Sequence, residues 1–219
     1  MAQRPPATAV SPRFGALLAA PAVFLLCALL LLASGCGKQA KLAALPADAV
    51  VLAFGDSLTY GTGASEAESY PAQLARLSGR RVVREGVPGE VSATGLQRLP
   101  AALDEHQPRL LLLCHGGNDF LRRLPKAEAA ANVRAMVQLA RSRGIDVVLL
   151  GTPEFGFLLT PADFYAEIAK EFRIPYEGEV LSKILRDSNL KSDQIHPNAA
   201  GYRLMAERLY ELLKKAGAV

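Results

Sequence analysis

No strand-like run in this chain leads into Gly-x-Gly-x-x-Gly, and no Walker-type Gly-Lys-Ser/Thr occurs. Without either device the backbone offers no ready cradle for a phosphate chain, so nucleotide binding is disfavoured. Basic residues nowhere form a run interleaved with aromatics, which argues against a nucleic-acid partner. No group of His, Cys, Asp and Glu has the spacing of metal ligands, and neither a metal nor another cofactor is expected. Cysteine is scarce, limited to Cys27, Cys36 and Cys114. Cys27 falls in an apolar leader and Cys36 just beyond it. Cys114 is then alone in the body of the chain, and no disulfide within it is expected. Because Cys114 ends an apolar run, it reads as a buried thiol rather than a catalytic one.

What is present begins with an address. Arg4 and Arg13 lie in a polar, proline-rich leader without acids, and Phe14 to Ala33 is a nearly continuous apolar run. A basic start, an apolar centre and small residues at the exit describe a secretory signal. The lack of an Arg-Arg pair argues against twin-arginine export. Ala33-Ser34-Gly35-Cys36 resembles a bacterial lipobox, with Ala33 where such boxes usually carry Leu. The resemblance implies removal of residues 1–35 and a diacylated Cys36 at the new N-terminus. Gly37 after the cysteine resembles lipoproteins sent on to the outer membrane rather than kept at the inner one. The competing reading is an uncleaved anchor, since about 20 apolar residues can cross a bilayer. Either way the rest of the chain faces the exported side, the periplasm of a bacterial cell envelope. Acyl chains on Cys36 would hold it at a membrane surface.

The remaining roughly 184 residues suffice for one core and are awkward for two, so a single domain and a monomer are expected. Only Arg4 and Arg13 of the 25 basic residues fall in the leader, against 21 acids in all, so the mature chain keeps a small positive excess that says little about partners. Residues 36–48 form a short Ala/Lys/Pro tether, and residues 49–219 alternate strand and helix. Ala49–Phe54, Arg81–Arg84, Leu110–Cys114 and Ile145–Leu150 read as strands, with a weak edge strand near Arg173–Tyr176 because proline favours an edge. Helical patterns cover Tyr70–Leu77, Ser92–Glu105 and Lys126–Arg143, with a break expected at Pro100 and a stop at Gly144. Pro197 is expected to open a last helix reaching Ala216. Strands that do not alternate, each followed by a helix, predict a parallel sheet covered on both faces.

Gly55-Asp56-Ser57-Leu58-Thr59-Tyr60-Gly61 follows the first strand and delivers a hydroxyl to the carboxyl end of the sheet, where open α/β sheets bind ligands. Ser57 is the candidate nucleophile; the alternative is a turn in which Ser57 or Thr59 merely caps a helix. Asp193-Gln194-Ile195-His196-Pro197 supplies what a serine needs. Asp193 can hold Nδ1 of His196, leaving Nε2 free to take a proton from Ser57. Two further strand exits offer donors for an oxyanion. One is His115-Gly116-Gly117-Asn118-Asp119, with the Asn118 amide. The other is Glu85-Gly86-Val87-Pro88-Gly89-Glu90, with the Gly89 backbone N–H at a helix start. His115 reads as a loop residue or a substrate contact.

Gly55-Asp56-Ser57-Leu58, Gly89, Gly116-Gly117-Asn118-Asp119 and Asp193-x-x-His196 resemble, in order, the four blocks of the SGNH (GDSL-type) hydrolase superfamily. Leu96–Pro100, His106-Gln107-Pro108 and Asn132–Met136 are similar to its bacterial arylesterase, thioesterase I and lysophospholipase L1 branch. The resemblance implies a flavodoxin-like three-layer α/β/α sandwich. It also implies Ser57 as nucleophile, His196 as base and Asp193 orienting it, with an oxyanion hole from the N–H groups of Ser57 and Gly89 and the Asn118 amide. Thr59 stands where the Gly-x-Ser-x-Gly elbow of α/β-hydrolases requires glycine. Glu85 and Glu90 depart from the Asn-Ala-Gly and Ser-Gly-Asp stretches of relatives, and His115 from a position usually small or apolar.

The loop 154–161 carries Phe155, Phe157, Leu158 and Leu159, four large apolar side chains that a bound acyl chain could cover. An adjoining helix could cover them equally well. The leading expectation is an exported serine esterase acting on lipid, lysophospholipid or aryl esters through an acyl-serine intermediate. The alternatives are a carbohydrate O-acetylesterase or acyltransferase working on envelope polysaccharide, and a non-catalytic envelope-binding domain.

Overall fold

In the computed structural model, residues 1, 3, 40–154 and 159–219 are described. The leader, Cys36, and Phe155, Phe157 and Leu158 of the apolar loop lie outside them. Along β1 (Val50–Gly55), Val51 and Ala53 enter one apolar cluster while Leu52 and Phe54 enter another on the opposite face. The same division holds on β3 (Leu110–Cys114) and β4 (Asp146–Leu150), with Leu110, Leu112, Val148 and Leu150 on the first side. Leu111, Leu113, Val147 and Leu149 lie on the second. A strand buried on both faces needs apolar residues at every position, which is why these runs show no alternation.

The first cluster is closed by α2 (Tyr70–Ser78), α7 (Val180–Arg186) and α8 (Ala199–Ala216), through Tyr70, Leu74, Ile184, Tyr202, Met205 and Leu209. The second is closed by α3 (Ser92–His106), α5 (Lys126–Ser142) and α6 (Asp163–Phe172), through Leu99, Leu103, Val133, Met136, Tyr165 and Ile168. Between them lies one parallel sheet of five strands in the order β2-β1-β3-β4-β5, where β2 is Arg81–Gly86 and β5 is Tyr176–Glu177. This is a three-layer α/β/α sandwich with the flavodoxin-like strand order. The chain leaves β1 toward β2 on one side and returns to β3 on the other. The β1 and β3 exits therefore flank the switch point where such sheets bind ligands.

Three expectations are corrected. Pro100 does not break its helix: α3 runs unbroken through it. Leu99 and Leu103, on either side, are fully buried against the sheet. That burial outweighs the one backbone bond the proline cannot make. The last helix starts at Ala199 rather than Pro197, because Asn198 caps it by accepting from Gly201 N at 3.0 Å. The 40–48 stretch is fastened to the domain, not free of it. Leu42 N and Leu45 N donate to Ala216 and Ala218 carbonyls at 3.0 and 2.8 Å, and Leu45 is buried.

Candidate active site

Gly55 closes β1 against the end of β3 so tightly that a Cβ there would lie 2.0 Å from the Cys114 carbonyl oxygen. Asp56 then caps the four-residue helix α1 (Ser57–Tyr60), its Oδ1 accepting from Leu58 N at 3.0 Å. The capping role considered for Ser57 and Thr59 thus belongs to Asp56. Thr59 points inward, Oγ1 3.0 Å from Tyr70 OH, and Ser57 is left at the head of the helix with its hydroxyl half-exposed. The first N–H groups of a helix have no intrahelical partner, so the Ser57 N–H is available there.

His196 Nε2 lies 3.0 Å from Ser57 Oγ, and His196 Nδ1 lies 2.8 Å from Asp193 Oδ2. Asp193 is itself held in a tight turn, its Oδ1 accepting from Ile195 N and His196 N, both at 2.8 Å. Burial pushes its carboxyl up, but the bonds from His196 and the two backbone N–H groups outweigh this and hold it below the ordinary carboxylate range. An ionised carboxylate can only accept, so Nδ1 carries the proton and Nε2 presents its lone pair to Ser57. The structure thus brings Ser57, His196 and Asp193 into one chain of hydrogen bonds.

The oxyanion candidates stand differently. Val87-Pro88-Gly89-Glu90 forms a turn closed by Glu90 N donating to Val87 O at 3.2 Å, with Gly89 at φ 78°. Proline second and a positive-φ glycine third suit a type II turn. The Gly89 carbonyl accepts from Arg122 Nη2 at 2.7 Å, and Gly89 is not among the described residues lining the cleft beside Ser57. Asn118 does line that cleft, with Asp56, Leu58, Gly117, Leu121, Ile195 and His196. Its Nδ2 donates to Glu90 main-chain O at 3.0 Å and to Asp56 Oδ2 at 3.2 Å. Both partners are acceptors, which fixes the amide orientation. Burial raises the Asp56 carboxyl above its usual range, opposed by the bond from the Leu58 N–H.

The cleft holds about 20 Å³ among the described residues, room for about one water-sized group. Of the expected acyl contacts, Phe155, Phe157 and Leu158 lie outside the described residues, and Leu159 sits half-buried at φ 44°. Leu121 and Ile195, which flank the cleft, were not anticipated. His115 lies in the loop after β3, as expected, but the substrate-contact alternative is corrected: it is fully buried, its Nε2 3.1 Å from Glu90 Oε2. Cys114 is buried as expected, and burial drives its thiol well above the ordinary range. Arg98, Glu85 and Glu90 form a linked ion-pair group beneath the site that sequence reasoning missed. One signal was available: Gly95 in the middle of a helix, where glycine is costly without a packing reason. Among the described residues no cluster of three or more His, Cys, Asp or Glu could hold a metal ion.

Residues 53–204 match the GDSL-like Lipase/Acylhydrolase family. Esterase TesA of Pseudomonas aeruginosa is 32% identical over 197 residues, covering 84% of this chain and 97% of that protein. Thioesterase 1/protease 1/lysophospholipase L1 of Escherichia coli strain K12 is 29% identical over 178 residues, 75% of this chain and 83% of that one. The crystal structure of TesA superposes with a TM-score of 0.67 at 29% identity, covering 76% of this chain and 99% of the other.

Proposed function

The chain belongs to the GDSL-like lipase/acylhydrolase (SGNH) family and is an ester hydrolase of that type, and from that premise we propose an exported serine esterase working through an acyl-serine intermediate. The observation that carries the mechanism is the chain Asp193 Oδ2–His196 Nδ1 at 2.8 Å and His196 Nε2–Ser57 Oγ at 3.0 Å. As Ser57 Oγ attacks the ester carbonyl carbon, His196 Nε2 takes its proton, and Asp193 stabilises the imidazolium that forms. Collapse of the tetrahedral intermediate expels the alcohol, which receives that proton from His196. Water, deprotonated in turn by His196, then releases the acid and regenerates Ser57. The Ser57 and Gly89 N–H groups and the Asn118 amide are proposed as the oxyanion donors.

The leader and the lipobox-like Ala33–Cys36 support a signal peptide over 1–35 and an enzyme held by lipid on Cys36, facing the periplasm, at the outer membrane rather than the inner. A membrane-held esterase meets lipid esters first, and the relative named lysophospholipase L1 supports that substrate class. The narrow cleft beside Ser57 among the described residues supports a second reading, an O-acetylesterase, in which the acyl group is short; a longer chain would have to leave past Leu121.

Hydrolysis of p-nitrophenyl esters from acetyl to palmitoyl, with Ser57→Ala as control, separates the two. Rates that hold or rise with chain length support the lipid reading, and rates that fall steadily beyond acetyl support the second. Activity that survives Ser57→Ala would overturn both. Labelling with radioactive palmitate in the wild type but not in Cys36→Ser is expected if the anchor is real.

A further inference from the structure

Beneath the proposed oxyanion site, the loop between β2 and α3 and the loop between β3 and α4 (Gly117–Leu121) are laced together by buried polar contacts. Ser92 N and Oγ donate to Asp119 Oδ2 and Oδ1 at 2.8 and 2.6 Å. Asn118 Nδ2 donates to the main-chain oxygen of Glu90 at 3.0 Å. His115 Nε2 meets the Glu90 carboxylate at 3.1 Å. Arg98 takes the same carboxylate with two nitrogens, Nε to Oε1 at 3.0 Å and Nη2 to Oε2 at 2.9 Å. Arg98 is in turn fixed by Glu85 at 3.0 Å and by the Phe54 ring, 4.0 Å from guanidinium carbon to centroid. Burial pushes the Glu90 carboxyl up, but the His115 and Arg98 hydrogen bonds and the Arg98 charge bring it down to about 2.

The tautomer of His115 follows from its neighbours. Gly116 N donates to His115 Nδ1 at 3.0 Å, so Nδ1 carries no proton and Nε2–H donates to Glu90. The ring has room only because position 95 is glycine: a Cβ there would lie 2.2 Å from His115 Nε2. Glu90 is therefore gripped through its side chain by His115 and Arg98. Its main chain holds one amide hydrogen of Asn118, and its preceding residue is Gly89. One residue thus sets the relative placement of two proposed donors. The second Asn118 hydrogen makes a longer bond, 3.2 Å, to Asp56 Oδ2.

We infer that His115 is a positioning residue for catalysis: acting through Glu90, it holds Asn118 and Gly89 in register for the charge that develops in the transition state. The inference rests on the esterase reading above. Donors fixed before reaction contribute to transition-state stabilisation, and loss of one such donor costs on the order of 100-fold in kcat. Loosening donors without removing them is expected to cost about tenfold.

The test compares wild type, His115→Leu, His115→Gln and Glu90→Gln in steady-state hydrolysis of p-nitrophenyl acetate. Each protein is also titrated with an alkyl trifluoromethyl ketone, whose adduct with Ser57 carries the oxyanion, and its thermal transition is recorded. His115→Leu and Glu90→Gln are expected to lose about tenfold in kcat with KM within about twofold, and to weaken the ketone by the same factor. His115→Gln, which can still donate to Glu90, should stay within about threefold of wild type. A folded His115→Leu with wild-type kcat overturns the inference, and so does a loss confined to KM or one that leaves the ketone unaffected. Should His115→Leu fail to fold, Glu90→Gln decides by the same criteria. Wild-type protein inactive on every ester would overturn the esterase reading and this inference together; an active wild type beside unaffected variants overturns this inference alone.

Discussion

At the scale of single residues, the site separates groups that react from groups that hold them. Asp193 belongs to the second kind, and its side chain is 51% exposed. Where such an acid is buried, its amide variant costs about 10⁴ in kcat because the histidine adopts the wrong tautomer. Water beside Asp193 can take over part of its role, so Asp193→Asn is expected to lose about 10- to 100-fold in kcat with little change in KM. A loss below threefold would remove Asp193 from the mechanism. Glu90 predicts an effect on stability instead. Its carboxyl sits at about 2 when folded against 4.5 for the free group. A depressed acid contributes stability that is fully present above the unfolded value and is lost as pH falls toward the folded one. The contribution is up to about 3 kcal/mol. Between pH 4.5 and 2 the melting temperature of the wild type should fall more steeply than that of Glu90→Gln, and parallel curves would exclude Glu90 as a cause. Asp56, raised by burial, acts in the opposite sense over its own window, since its protonation on acidification favours the folded chain.

At the scale of elements, α3 carries both the corrected proline and the helix-interior glycine. Glycine inside a helix costs about 1 kcal/mol relative to alanine, so Gly95→Ala on an unobstructed face would be stabilising. Here the added methyl would meet three atoms of the His115 ring, at 2.2, 2.7 and 3.0 Å. Gly95→Ala is therefore expected to lower stability by about 1–3 kcal/mol, the usual cost of overpacking a core. In a His115→Ala background the obstruction is gone, and the same substitution should raise stability by about 1 kcal/mol relative to His115→Ala alone. Urea denaturation of the four chains measures the reversal of sign. Additive effects would show that the helix and the ring are not in conflict at this position. The packing of Gly95 against His115 links α3 to the end of β3, which is how an outer helix reaches a loop at the reaction centre.

At the scale of the whole molecule, the parallel sheet was legible because strands buried on both faces must be apolar throughout, as Leu110–Cys114 is. The Ser57–His196–Asp193 grouping was legible too, because Ser57 stands at the exit of β1 and Asp193 and His196 share one short turn ahead of α8, so each part reads from its own local sequence. The group formed by Glu85, Glu90, Arg98 and His115 was not: its members lie on β2, α3 and the loops, and only strand register and helix rotation bring them together. The fastening of residues 41–45 was illegible for a similar reason. An Ala/Lys/Pro composition reads as linker, and nothing local shows that the end of α8 leaves the Ala216 and Ala218 carbonyls free to accept from Leu42 and Leu45. Arg80 adds two bonds to the Leu45 carbonyl, from Nη2 at 3.0 Å and Nε at 3.3 Å, and Ala43 N donates to Asp146 Oδ2 at 3.1 Å. This segment therefore joins the start of β1 to both α8 and the start of β4. Burying one leucine is worth about 2 kcal/mol, and each of these hydrogen bonds adds about 1 kcal/mol at most. A chain beginning at residue 49 should then be about 2–4 kcal/mol less stable than one beginning at residue 40, by equilibrium urea unfolding. Ser57 and its partners lie on other segments, so activity per folded molecule should be the same in both. Equal stability would mean that residues 40–48 are the free tether their composition suggests.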